Sequence, residues 1–227
     1  MMKALRQAIS ILAACATEDR VAQMQRVLIE RTRYITICLE DIFQQQNASA
    51  ILRSCDAFGV QDVHIVEQRN HFVLHRDIAM GSDKWLTFYK YGRQHEQPVL
   101  AAISHLRKGG YRLVATTPHK GGAPLDELDL KKGKVALMFG AEYTGLSDTA
   151  MSAADELITV PMYGFVESLN LSVCAAIVLR QLSQKLRQQG VAWQLGSEEQ
   201  EELLLTWLKK SVRHSEQILQ HKYGNKL

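Results

Sequence analysis

The stretch Val135-Ala136-Leu137-Met138-Phe139 runs directly into Gly140-Ala141-Glu142-Tyr143-Thr144-Gly145, and this junction decides the fold. Five apolar residues with no polar alternate read as a strand buried on both faces, the pattern of a parallel sheet covered by helices. Glycine at the end of the strand lets backbone approach a ligand closely. The glycine spacing matches neither a dinucleotide fingerprint nor a phosphate loop. Taken alone, the string reads equally well as a tight structural turn.

Working outward, the same alternation of strand and helix recurs. Tyr34 to Leu39 reads as a first strand, and Asn47 to Phe58 as a helix stopped by Gly59. Val63 to Val66 and Trp85 to Tyr91 read as short strands. Val99 to Leu106 reads as a helix closed by Gly109-Gly110, and Leu113 to Thr117 as a strand ending at Pro118. Leu157 to Val160 is a further strand, cut by Pro161. Ser168 to Leu186 is a long helix, apolar on most sides in its first half. This order predicts an α/β fold with a mainly parallel sheet and helices on both faces. Ligands of such sheets bind at the carboxyl ends of strands. Polar or glycine-rich loops stand at three such ends: after Leu39, Phe139 and Val160.

Both chain ends read differently. Leu5, Ile9, Leu12, Val21, Met24 and Leu28 recur at helical spacing among Arg6, Arg20, Arg26, Arg31 and Arg33, giving one or two amphipathic helices with a basic face. The acidic run Glu198 to Glu202 opens one final amphipathic helix through Leu219. The expected organisation is an N-terminal helical extension, 1–33, a core over 34–190 and a C-terminal helical extension over 191–227.

Bulk properties exclude more than they establish. The 227 residues are 46% hydrophobic and 22% charged, ordinary for a globular chain. A net charge of +3 permits nucleic-acid binding without arguing for it. Cys15, Cys38, Cys55 and Cys174 are too scattered for a zinc site and read as small buried hydrophobes in a reducing, cytoplasmic setting. Ala8 to Ala16 is too short to span a bilayer. His71 and His75 share a helical face four residues apart, but no third metal ligand accompanies them, so no metal is expected.

Two other polar strings carry candidate chemistry. In Asn47-Ala48-Ser49-Ala50-Ile51-Leu52-Arg53, Asn47 stands where a helix N-cap belongs. Arg53 falls within about 60° of the face of Ser49 and Ala50. In Val160-Pro161-Met162-Tyr163-Gly164-Phe165-Val166-Glu167-Ser168-Leu169-Asn170-Leu171-Ser172, three polar residues open a helix that is otherwise apolar. One of them suffices as a cap.

In this order and at these spacings, the three strings resemble the motifs of the SpoU/TrmH family of SPOUT-class methyltransferases. The first extends through Asp56-Ala57-Phe58-Gly59-Val60, the second is Phe139 to Leu146, and the third is Ile158 to Ser172. The likeness spans Tyr34 to about Arg187. Gly81-Ser82-Asp83-Lys84-Trp85 resembles the members that methylate guanosine 18 of transfer RNA. About 33 residues precede the first strand, too few for the separate RNA-binding domain of ribosomal-RNA members. The resemblance implies a C-terminal trefoil knot, a homodimer with sites shared between subunits, and 2′-O-methylation of a tRNA ribose from S-adenosylmethionine. Another tRNA position, ribosomal RNA, or a non-catalytic RNA-binding member of the fold remain open alternatives.

Carried over by position, the resemblance implies donor binding by Thr116, Gly140, Glu142, Gly145, Val160, Met162, Gly164 and Leu169. It implies catalytic roles for Arg53, Asn47, Glu142, Ser168 and Asn170. RNA contacts are expected from Arg20, Arg31, Arg53 and Lys84. A guanidinium is a poor proton acceptor, its pKa lying above about 12, so Arg53 is read as a phosphate-binding and alkoxide-stabilising group rather than a base. Two positions depart from the family pattern: Gln46 replaces the His common before the first-motif Asn, and Glu167 replaces the Gln common before Ser-Leu-Asn.

Overall fold

A computed structural model of the chain describes residues 2–118 and 121–223. It divides into two compact units: Thr32–Trp193, and a second unit drawn from both ends of the chain up to Arg31 and from Gln194 on. The sequence reading set the two ends apart as separate extensions; here they fold together.

Thr32–Trp193 is built on seven strands: β1 (Ile35–Glu40), β2 (Asp62–Val66), β3 (Thr87–Tyr91), β4 (Arg112–Thr116), β5 (Ala123–Pro124), β6 (Val135–Phe139) and β7 (Glu156–Thr159). They form one sheet in the order β3-β2-β1-β6-β4-β7-β5. Every neighbouring pair is parallel. The helices between them are α3 (Gln45–Ala57), α4 (Arg76–Ala79), α5 (Pro98–Lys108), α6 (Asp148–Ala153) and α7 (Leu171–Gln188).

The two-residue period of a strand separates two cores. Ile35, Ile37 and Leu39 of β1, with Val135, Leu137 and Phe139 of β6, pack against Ile51, Leu52 and Cys55 of α3 and Val178, Leu179 and Leu182 of α7. The alternate residues Cys38, Ala136 and Met138 face Ala102 and Leu106 of α5 and Ala150 of α6. Both faces of β6 are therefore apolar, which is why Val135–Phe139 shows no polar alternation.

Register sets the position of the loops. Leu39 pairs with Phe139, Ala115 with Met138, and Thr116 with Ile158. Four adjacent strands therefore end along one edge. Between β1 and β6 the order of the chain reverses direction, the switch point at which open α/β sheets bind ligands.

The terminal unit contains α1 (Met2–Ala13), α2 (Glu18–Leu28), α8 (Ser197–Ser211) and α9 (Ser215–Tyr223). Leu12, Met24, Leu28, Leu203, Leu204, Trp207 and Leu208 are buried. The single final helix expected from the sequence is two, broken before α9 where His214 adopts a left-handed φ of 56°. Arg31 departs from expectation. It is 1% exposed, with its guanidinium carbon 5.4 Å from the centre of the Trp207 ring. An Arg stacked inside a core offers no charge to a phosphate, so the expected RNA contact at Arg31 is withdrawn. Among the described residues no helix is long and apolar enough to cross a membrane.

On the α5 side of the sheet, the Tyr91 hydroxyl lies 2.9 Å from His64 Nδ1 and 2.6 Å from His105 Nδ1. A hydroxyl has one hydrogen, so it donates to one ring and accepts from the other. Burial, and then the neighbouring His105, lower the His64 pKa from 6.5 to about 3. The unfolded chain therefore binds a proton that the folded chain excludes. This contribution to stability is complete above about pH 6.5 and is lost progressively as pH falls toward 3, at up to about 1.4 kcal/mol per pH unit. Urea midpoints at pH 7 and pH 5 should differ less in His64→Gln than in the wild type. Equal differences would contradict this account.

Candidate active site

The loops at the carboxyl ends of β1, β4, β6 and β7 enclose a cleft of about 700 Å³. That is within the usual range for a small-molecule or cofactor site. Its walls are Thr116 to Pro118 after β4, Phe139 to Leu146 around the end of β6, Ile158 to Val160 with Met162, and Glu167 to Leu171. Gln44 and Asn47 enter from the start of α3, and Cys174 and Val178 from the inner face of α7.

One chain of hydrogen bonds joins the three motif strings. The Glu142 carboxylate accepts from the backbone N–H groups of Phe43 and Gln44, each at 3.2 Å, and from Asn47 Nδ2 at 2.9 Å. Asn47 Oδ1 accepts from Asn170 Nδ2 at 3.0 Å. Asn170 Oδ1 accepts from the N–H groups of Ser172 and Val173, capping α7. A carboxylate has only acceptors, which fixes the Asn47 amide with its NH₂ toward Glu142. Glu142 also sits against the N-terminus of α3, where the helix dipole favours negative charge.

This arrangement corrects the reading of Asn47. The residue before α3 is Gln44, which makes no side-chain cap, while Asn47 lies inside the first turn and is 4% exposed. Its amide serves the other two motifs and also donates to Gln44 Oε1 at 3.1 Å, rather than capping the backbone of its own helix. The cap reading holds for Asn170.

Gly140 is required by contact. A Cβ there would stand 2.0 Å from the Gly145 carbonyl carbon and 2.1 Å from Leu146 N. The loop is closed by reciprocal backbone hydrogen bonds between Ala141 and Gly145 at 3.1 and 2.9 Å, with Gly145 at a φ of 68°. The Thr116 hydroxyl donates to Met138 O at 3.0 Å, tying the end of β4 to β6.

Of the expected donor-binding residues, Thr116, Gly140, Glu142, Gly145, Val160, Met162 and Leu169 line the cleft. Gly164 is not among the lining residues, and a Cβ there would meet nothing within 4 Å. Of the expected catalytic residues, Asn47, Glu142, Ser168 and Asn170 line it. Arg53 does not: it is exposed on an outward stripe of α3 with Gln46 and Ala57. Ser49, expected beside Arg53, is instead buried and accepts a hydrogen bond from His75 N at 2.7 Å. Arg20 and Lys84 are both exposed.

Sequence reading overlooked Gln44, Thr117, Cys174 and Val178. The last two follow Asn170 at helical spacing and were legible as its inward face. Burial raises the pKa of the Cys174 thiol, so it acts as apolar wall rather than nucleophile.

A parallel α/β sheet with a glycine-closed cleft at its switch point defines a cofactor-binding α/β protein. Residues 34–180 match the model of the SpoU rRNA Methylase family. The chain belongs to that family. It is 37% identical to the tRNA (guanosine(18)-2′-O)-methyltransferase of Borreliella burgdorferi over 206 residues, 91% of this chain and 92% of that protein. The crystal structure of the Aquifex aeolicus TrmH/SpoU tRNA modifying enzyme superposes with a TM-score of 0.75 at 27% identity, covering 86% of this chain and 98% of that one. The AdoMet-bound rRNA methyltransferase of Sinorhizobium meliloti gives a TM-score of 0.59 at 26% identity, covering 71% and 60%.

The isosteric substitution Asn47→Asp replaces the donor facing Glu142 with a second carboxylate. It should lower stability by about 2–4 kcal/mol at pH 7, from one broken charge-assisted hydrogen bond and like-charge repulsion. The loss should shrink as pH falls toward about 4, because protonation restores a donor. A pH-independent loss, or none, in urea titrations would remove the Glu142–Asn47 contact from the account.

Proposed function

We propose that this protein transfers a methyl group from S-adenosylmethionine to the ribose 2′-oxygen of a tRNA nucleotide, guanosine 18 in particular. The observation that carries this reading is the Glu142–Asn47–Asn170 chain, which draws the three family motifs onto one cleft. The near-full-length likeness to a guanosine-18 enzyme supports the choice of nucleotide.

The cleft fits the donor. Its volume accommodates a nucleoside, its walls include Met162, Leu169 and Val178, and the turn that Gly140 allows places Ala141 to Gly145 along one wall. Glu142 and Glu167 are the carboxylates of the lining, a favourable setting for a cationic sulfonium. Thr116, Gly140, Gly145, Val160, Met162 and Leu169 would hold the adenosine portion. When bound, the donor supplies a methyl group already activated by positive sulfur, so no metal is needed. The protein's task is then alignment, which alone can contribute several kcal/mol.

Arg53 lies outside its own chain's cleft, and this is consistent with a homodimer in which it serves the partner's site. Large apolar side chains exposed between β7 and α7 and along α7, including Phe165, Val166, Val173 and Ile177, support such a contact. Across that contact Arg53 binds an RNA phosphate and stabilises the developing 2′-alkoxide. Arg20 and Lys84 hold tRNA phosphates, and the protein acts in the cytoplasm. In this reading the core carries out the chemistry and the N-terminal helices contact tRNA.

Mass mapping of tRNA treated with the purified protein should find one new 2′-O-methyl mark, on guanosine 18. Arg53→Ala should abolish it, and Arg53→Lys, which lacks the fork geometry, should restore little. A mark on another nucleotide would redirect the substrate assignment. Full turnover by Arg53→Ala would overturn the role given to the guanidinium.

A further inference from the structure

Methylation of a hydroxyl requires an acceptor for its proton, and Arg53 is chemically unsuited to be one. The cleft lining contains four titratable side chains: Glu142, Tyr143, Glu167 and Cys174. Glu142 already accepts from Phe43 N, Gln44 N and Asn47 Nδ2 and holds the three motifs together. The Cys174 thiol is held in its neutral form by burial. Tyr143 carries a phenol, which has a hydroxyl hydrogen to donate where a carboxylate has only acceptors. Glu167 differs from all three. It is exposed on the wall of the cleft, next to Ser168, and makes no hydrogen bond or ion pair among the described residues.

We infer that Glu167 is a catalytic residue that takes the proton from the ribose 2′-hydroxyl, an inference that rests on the function proposed above. The 2′-O–H bond breaks toward a Glu167 carboxylate oxygen while an oxygen lone pair forms the bond to the methyl carbon. The carbon–sulfur bond breaks, and its electron pair stays on sulfur. The carboxylate goes from −1 to neutral and the sulfonium from +1 to neutral, so charge balances without another reactant. An amide at this position, the common residue of the family, cannot accept a proton in this way. The chain therefore carries a base of its own at a position where a glutamine only positions. The nearby Ser168 hydroxyl offers the alkoxide a donor on the same wall.

The test compares wild type with Glu167→Gln and Glu167→Ala on tRNA, following single-turnover methylation with and without sodium formate and measuring tRNA and S-adenosylmethionine affinities separately. Loss of a general base is expected to cost at least about 100-fold in rate. Sodium formate should restore part of the rate to Glu167→Ala and nothing to Glu167→Gln, whose amide fills the space. Affinities for tRNA and donor should change less than about threefold, except for a gain in tRNA affinity from the removed negative charge. A Glu167→Gln rate within threefold of wild type overturns the inference. So does a larger loss that formate does not reverse in Glu167→Ala, since that outcome belongs to a positioning role. An active wild type with unaffected variants leaves the proposed function standing. A wild type that methylates no tRNA, while binding the donor, overturns both.

Discussion

Asn47 holds two segments that the chain keeps far apart, and the site depends on that bridge. Its amide donates to Glu142, 95 residues on, and accepts from Asn170, 123 residues on. Removing either neighbour leaves one polar group of a buried amide without its partner, which costs about 1–3 kcal/mol. Asn47 is 4% exposed, so the penalty applies in full. The same three residues also fix the two helix starts. Glu142 occupies the positive end of α3, and Asn170 caps α7. Orienting the site and starting the helices are thus one set of hydrogen bonds.

The sheet makes this bridge possible. Parallel pairing of β1 with β6, in register from Ile35–Val135 to Leu39–Phe139, ends both strands at the same level. Asn47 and Glu142 follow those ends, at the point where strand order changes direction. Gly140 then turns the chain in a space with no room for a Cβ. Substitution there would move backbone rather than a side chain, and the cleft wall with it. Glu167, Ser168 and Asn170 on the cleft wall are exposed.

Much of this was legible in the sequence, for identifiable reasons. The unbroken run Val135–Phe139 announced a strand covered on both faces. Gly59 stopped α3 as expected, adopting a φ of 79°. Strings that were individually ambiguous converge on one cleft because each follows the carboxyl end of a parallel strand or opens the helix after it. What the sequence hid depends on long-range contact. Asn47 has the local signature of a cap, but its partners lie across the molecule. Arg31 has the local signature of a basic helix face, yet its side chain packs on Trp207, 176 positions later in the chain. The break before α9 turns on the backbone of His214, which no periodicity marks. Arg53 shows the reverse: its residue type was legible, whereas its place on an outward stripe of α3 depends on how the helix rolls against the sheet.

The switch-point cleft is the proposed donor site. A crystal structure of the protein with S-adenosylhomocysteine should show the nucleoside against the Gly140–Gly145 turn, with Thr116 and Leu169 on its flanks. Density for the ligand elsewhere on the chain, with that cleft filled only by solvent at saturating ligand, would contradict it.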